Sequence, residues 1–280
     1  MADAGKSLSA SGRIAAAADY LRSRLAGRQP EVGIILGSGL GNLAEKIADQ
    51  IVIPYVEVPG FPAATAIGHK GNFISGVLGG RQVLAMQGRY HYYEGYGMEV
   101  VVLPVRVMAA LGVKYLFASN AVGTMNPEYS IGDLVLIRDH INMIPNSLIG
   151  PNLESLGPRF PDMTCAYDLE LQDKMVAIAA REGIAIQRGV YVSTSGPCYE
   201  TPAEYKFFRA IGADTVGMSV TPEVIAARHA GLRVLGMSVV TDVAHEVGDD
   251  YVTDENEIVR QADAAAHRME RLFSCLLEEL

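Results

Sequence analysis

The sequence predicts an α/β protein, a single domain over residues 1–280 with a central mixed β-sheet flanked by helices. Two observations lead there. Short β-branched and apolar runs alternate along the chain with stretches of helical periodicity, which calls for a sheet covered by helices. No low-complexity linker and no repeat interrupts that alternation.

The first element is an amphipathic helix over 11–26, with Ile14, Ala18, Leu21 and Leu25 at helical spacing. Strands are expected at Val32–Leu36, Gln82–Met86, Tyr115–Ser119, Leu134–Ile137, Gly189–Ser193 and Leu232–Thr241. Helices are expected at 42–48, Met98–Leu111, Leu169–Glu182, Pro202–Ile211, Pro222–His229 and Asp254–Leu277. Thr201 and Thr221 each precede a proline, the pattern of an N-cap followed by a first-turn proline. Residues 139–165, rich in Pro, Asn and Gly, form a long surface excursion, and loops of that length are usually functional or interfacial.

Composition narrows the function classes. A formal charge of −9 disfavours non-specific binding to nucleic acid or anionic membrane. No stretch approaches the apolar length needed to span a bilayer. The three cysteines, Cys165, Cys198 and Cys275, lack metal-type spacing and suit a reducing compartment. A cytoplasmic location, with no signal-peptide pattern, is the expectation.

The segment Val32-Gly-Ile-Ile-Leu-Gly-Ser-Gly-Leu-Gly41 is a buried strand that ends in alternating glycines around Ser38. Such a turn aims backbone N–H groups outward and suits an anion, although a strand–helix turn also needs small residues for its own sake. Asn42 stands where a dinucleotide fingerprint needs its third glycine. In open α/β sheets ligands gather beyond the carboxyl ends of strands. Gly37-Ser38-Gly39, the run from Gln87 to Glu94, Asn120 to Gly123, Ser195 to Glu200, Val216 to Ser219 and Thr241-Asp242 all follow expected strands.

Within this set Arg89 and His91 lie two apart and share a face in extended backbone, an oxyanion-binding arrangement. The alternative is a surface ion pair of Arg89 with Glu94 or Glu99. Glu200, just before the Thr201-Pro202 cap, serves the helix dipole or accepts hydrogen bonds from a heteroaromatic edge on which Tyr199 stacks. Asp242 caps a loop or acts as a proton donor. His245, Glu246, Asp249 and Asp250 make a solvated loop rather than a metal site, and Cys198 is a passive pocket or packing residue.

With these pieces together the chain resembles the trimeric purine nucleoside phosphorylases over nearly its whole length. The likeness rests on Gly37-Ser-Gly-Leu-Gly41, Gly68-His69, the run Gln87–Gly95, Asn120-Ala-Val-Gly123, Gly132–Asn142, Arg159-Phe-Pro161, Gly196–Thr201 and Gly217–Val224. The resemblance implies phosphate binding by Ser38, His69, Arg89, His91, Ser219 and the backbone N–H of Ala121. It implies nucleoside contacts from Tyr93, Ala121, Tyr199, Glu200, Val216, Gly217, Met218, Thr241 and Asp242, with Phe160 reaching over the ribose of a neighbouring subunit. Asp242, Glu200 and His91 would be the catalytic residues, with no metal and no organic cofactor, and inorganic phosphate as co-substrate. The partners implied are a purine nucleoside, phosphate and two further copies in a homotrimer. The activity implied is reversible phosphorolysis, with inosine and guanosine preferred.

One departure bears on the base. Enzymes of this family selective for 6-oxopurines carry Thr-Asn where this chain has Thr241-Asp242. An ionised aspartate only accepts hydrogen bonds, so it repels O6 unless protonated and suits a 6-amino group. That keeps a methylthioadenosine or adenosine phosphorylase as the alternative. A catalytically silent nucleoside-binding protein is the reading from another class, and phosphate-dependent release of base separates them.

Overall fold

The computed structural model describes residues 9–37, 40–66, 68–245, 248 and 254–280. Its helices are α1 (Ala10–Arg24), α2 (Met98–Val101), α3 (Leu103–Ala110), α4 (Leu169–Glu182), α5 (Pro202–Ala210), α6 (Thr221–His229) and α7 (Glu255–Glu278). Its strands are β1 (Val32–Leu36), β2 (Ala48–Pro54), β3 (Asn72–Leu78), β4 (Arg81–Gln87), β5 (Tyr115–Thr124), β6 (Leu134–Asn142), β7 (Ile186–Ser193), β8 (Thr215–Gly217) and β9 (Arg233–Val243). The described strands join one mixed sheet in the order β2-β3-β4-β1-β5-β8-β7-β6-β9, and β9 also pairs with β5. That extra pairing closes β5, β8, β7, β6 and β9 into a ring.

Two apolar layers cover the sheet. Leu21, Val105, Met108 and Val224, from α1, α3 and α6, pack with Ile35, Leu84 and Leu116. On the other face Leu171, Met175, Leu272 and Phe273, from α4 and α7, pack on Ile34, Phe117 and Met237. Phe117 and Phe273 meet at 5.3 Å between ring centres. Burial on both faces explains why β1 reads as an unbroken apolar run rather than an alternation.

Four local expectations need correction. Residues 42–48 form a 3₁₀ turn, Gly41–Lys46, followed by β2. Its buried Leu43, Ala44 and Ile47 show a spacing that one tight turn satisfies as well as a helix does. The single helix expected at Met98–Leu111 breaks at Val102, because Pro104 opens a new first turn there. Thr201 caps α5, its hydroxyl accepting from the Glu204 N–H at 3.3 Å, but Thr221 is already inside α6 and Val220 occupies the cap. Asn120–Gly123 do not follow a strand: they lie within β5, which continues by exchanging partners.

That exchange positions the site. β5 pairs with β1 through Ala118 and with β8 from Gly123. Between those positions, Ser119–Val122 have no strand partner on that edge among the described residues. At the same level the β5–β9 register slips, with Val122 opposite Val240 and Gly123 opposite Asp242. Thr241 is therefore an extra bulged residue, and such a bulge re-aims adjacent side chains. Thr241 and Asp242 consequently both face the crevice, which strict alternation would forbid.

Candidate active site

The crevice in the β5 edge is a pocket of about 130 Å³, walled by residues from β5, β8, β9, the loops after β4 and β7, and the start of α7. Of the residues proposed from sequence, it brings together Arg89, His91, Tyr93, Ala121, Tyr199, Glu200, Val216, Gly217, Met218, Ser219, Thr241 and Asp242. His69 stands behind this wall, its ring stacked on His91 at 5.1 Å. Phe160 is 89% exposed on the loop 143–168 and does not line this chain's own pocket. Ser38, with Glu246, Asp249 and Asp250, lies outside the described residues.

Gly37 and Gly88 set the two turns at one end. A Cβ on Gly37 would stand 2.7 Å from the Ser119 carbonyl, so only glycine lets the turn after β1 pass this close to β5. Gly88 has φ +106°, and a Cβ there would strike His69 at 2.6 Å. It delivers Arg89 from the end of β4 into the protein, where the residue is 1% exposed. The acidic partner of Arg89 is neither Glu94 nor Glu99 but Glu223, whose Oε1 lies 3.0 Å from Nε. The pairing was hidden because 134 positions of chain, closed only by the fold, separate a loop residue from the first turn of α6. Arg89 Nη1 donates to the Ser219 hydroxyl at 3.0 Å, whereas Nη2 is buried with no hydrogen-bond partner among the described residues. A buried donor left without an acceptor is unfavourable by about 1–3 kcal/mol.

Ser219 is held by strain and by hydrogen bonds. Val220 has φ +65° and ψ −58°, the centre of a γ-turn closed by Thr221 N–H donating to the Ser219 carbonyl at 2.8 Å. A β-branched residue there is strained by about 1–3 kcal/mol. The buried Tyr191 hydroxyl donates to the same carbonyl at 2.9 Å, and burial raises its pKa to about 12, so it stays a donor. Glu223 accepts from the Val220 N–H at 3.0 Å, fixing both ends of the turn.

His91 is oriented by Glu94, whose Oε1 accepts from the His91 N–H at 2.7 Å and meets Nδ1 at 3.0 Å. Burial alone would raise the Glu94 pKa, but hydrogen bonds from His91 and Thr65 outweigh it and bring it to about 2. Tyr93 stacks on the other face of His91 at 4.7 Å, completing a His69–His91–Tyr93 column. Burial, then the neighbouring His91 and Arg89 charges, pushes His69 down to about 3. Folding therefore keeps His69 neutral while the unfolded imidazole titrates near 6.5, so stability is full above pH 6.5 and declines below it. Between pH 6.5 and 5, above the range where Glu94 contributes, His69 should account for a loss of about 2 kcal/mol. Urea unfolding at both pH values checks this, because His69→Gln should flatten that part of the decline.

At the other end Glu200 accepts from the Thr194 hydroxyl at 3.1 Å. Desolvation raises its pKa, with the Asp242 charge adding a smaller push. Val216 and Gly217 form the floor, and Tyr199 is half-exposed above it. Asp242 Oδ1 lies 3.6 Å from His245 Nε2.

Sequence reasoning gave no site role to Asn120, Val122, Gly123, Tyr205, Ile258 or Val259 in the wall, nor to Glu223 behind it. Asn120 accepts from the Ser238 hydroxyl at 2.7 Å, leaving its buried amide Nδ2 without a partner among the described residues. The Asn-Ala-Val-Gly run was the available signal for it. Among the described residues no group of three His, Cys, Asp or Glu side chains is placed to hold a metal ion, and no helix is long and apolar enough to cross a membrane.

The chain matches the family model of the phosphorylase superfamily over residues 31–278. It is 50% identical over 238 residues to purine nucleoside phosphorylase 1 of Bacillus subtilis, covering 85% of this chain and 88% of that one. A Schistosoma purine nucleoside phosphorylase in complex with hypoxanthine superposes with a TM-score of 0.93 at 42% identity, covering 98% of this chain and 99% of its own. A purine nucleoside phosphorylase of Schistosoma mansoni in complex with adenosine superposes with a TM-score of 0.91 at 43% identity, covering 95% and 96%. Likeness of this extent, in sequence and in backbone, has one meaning: the chain belongs to the phosphorylase superfamily, among its purine nucleoside phosphorylases.

Proposed function

We propose that residues 1–280 form one nucleoside phosphorylase domain that carries out reversible phosphorolysis of purine ribo- and deoxyribonucleosides to free base and pentose 1-phosphate. Inosine and guanosine are the preferred substrates. The observation that carries this reading is Arg89, a buried cation in the pocket wall, braced by Glu223 and Ser219, with Nη2 lacking a hydrogen-bond partner among the described residues. His91, Ser219, the Ala121 N–H and Ser38 join it around phosphate, with His69 supporting His91 from behind. Tyr93 and Met218 face the ribose. Tyr199, Val216 and Gly217 enclose the purine, Thr241 lies beside it, and Glu200 accepts from N1–H.

Phosphate attacks C1′ as the glycosidic bond breaks, and its negative charge stabilises the oxocarbenium-like centre it approaches. The departing purine accumulates charge on its imidazole ring, and a proton from Asp242 at N7 neutralises it. Inorganic phosphate is the co-substrate and no organic cofactor enters the scheme.

The long loop 143–168 and its exposed Phe160 support a homotrimer in which that ring covers a neighbour's ribose. The three cysteines are free thiols, and on that footing we place the enzyme in the cytoplasm.

The test is release of hypoxanthine from inosine as a function of phosphate, with Phe160→Ala assayed beside the wild type. Turnover should saturate with phosphate and persist with a chelator, and Phe160→Ala should lose activity while staying folded. Base release indifferent to phosphate sinks the phosphorylase reading, and an active monomer sinks the shared site.

The second reading is an adenosine or methylthioadenosine phosphorylase. Asp242 favours it as a hydrogen-bond acceptor for a 6-amino group, and one similar structure holds adenosine.

A further inference from the structure

Away from the active pocket, and sharing no residue with it, a cavity of about 400 Å³ opens between the first turn of α1, α3, the end of α6 and the loop around residues 147–153. This volume is in the range of small-molecule sites. Ile14, Leu103, Leu148 and Leu153 make its walls apolar. Its rim is fixed, because Arg159 Nη1 donates to the carbonyls of Leu148 at 3.2 Å and Gly150 at 2.7 Å. At the back, His229 Nε2 lies 3.1 Å from Asn152 Oδ1, joining the loop to α6.

Arg106 of α3 is set into this apolar wall. It is 8% exposed, and its Nη1 is fully buried with no hydrogen-bond partner among the described residues. Glu99 is the one acid among the lining residues, and it forms no ion pair with Arg106 or with Arg13 at the mouth. Burial lowers the Arg106 pKa, and no carboxylate offsets it. Among the described residues Arg106 has no counter-ion, an unfavourable state for a largely buried guanidinium, whereas the still more deeply buried Arg89 has Glu223.

We propose that this cavity binds a small organic carboxylate, its charge on the Arg106 guanidinium and its apolar body against Ile14, Leu103 and Leu148. A planar carboxylate matches the guanidinium fork. Arg106 and Arg13 against the single acid Glu99 give the lining one net positive charge, which matches a monoanion and leaves a phosphate dianion under-compensated.

Calorimetric titration of the full chain with benzoate and hexanoate, beside benzyl alcohol, hexanol and inorganic phosphate, tests the site. At least one carboxylate should bind saturably, and at least tenfold more tightly than its alcohol. Arg106→Met should weaken that binding at least tenfold, leave phosphate binding unchanged and, without ligand, melt no lower than the wild type, because it removes an uncompensated charge. Leu148→Trp, which fills the cavity from the loop and leaves Arg106 in place, should also abolish carboxylate binding. The proposal is overturned if neither carboxylate saturates at millimolar concentration, if the alcohols bind as well, or if both variants bind like the wild type.

Discussion

Arg89→Ala should abolish efficient use of phosphate while leaving nucleoside binding close to that of the wild type. Losing a charge-assisted donor in a desolvated site costs about 2–4 kcal/mol, a fall of roughly 30- to 900-fold in kcat/KM for phosphate. The substitution also strands Glu223, which is 2% exposed, as a buried charge, and removing one member of such a pair destabilises by about 3–5 kcal/mol. The two effects separate in the double variant Arg89→Met, Glu223→Gln. Neither position then carries a charge, so its Tm should recover towards the wild type while phosphate use stays lost. If the double variant regains phosphate saturation, the single variant was merely unfolding and Arg89 does not hold the anion.

Base choice is the second large effect. Glu200→Gln should reduce kcat/KM for inosine by about 1.5–3 kcal/mol, on the order of ten- to more than a hundredfold, because a charged acceptor for N1–H becomes neutral. Adenosine, which offers only a lone pair at N1, should gain in relative terms. Asp242→Asn should move the ratio towards inosine, since the amide donates to O6 whatever its surroundings, whereas the carboxyl group does so only when protonated. Desolvation raises the Glu200 pKa, so the ionised form that serves inosine declines at a higher pH than for an ordinary carboxylate. Inosine turnover should therefore fall on the acid side of neutrality, and Glu200→Gln should remove that limb. kcat/KM for inosine, guanosine, adenosine and methylthioadenosine on all three proteins settles the point. A wild type that prefers either adenine nucleoside refutes Glu200 as the selector, and unchanged ratios in Asp242→Asn remove Asp242 from base recognition.

Much of the fold was legible because burial leaves a local trace. β1 matches its expected bounds, as does α4, whose Asp168 cap and left-handed Gly183 both stand in the sequence. The edge pair β2 and β3 was missed, although Ile51-Val52-Ile53 is β-branched, because half of β2 is exposed and Pro54 ends it. β8 has three residues, too few to show a period. The site followed the same division. Each strand-end motif was visible, and twelve of the proposed residues meet in one pocket. What stayed hidden depends on pairing across the chain: Glu223 behind Arg89, the bulge that turns Thr241 and Asp242 to the same side, and the strained turn at Val220. Valine carries no sequence signal for a positive φ, since the surrounding hydrogen bonds impose it.

The ring closed by β9 has a consequence for how the chain is made. Tyr115 pairs with Arg233, and α7, which follows β9, covers the Phe117 face. A ribosome releases β1, β4 and β5 long before it releases the strand that seals them. Until then β5 presents an apolar edge and one bare face, the kind of surface on which nascent chains associate wrongly. Closure must bridge more than a hundred residues of chain, which places this fold among the slow ones. The last sixth or so of the protein to be synthesised, β9 and α7, is thus what commits the rest to its native state, and termination before β9 should be as damaging as losing the active site itself.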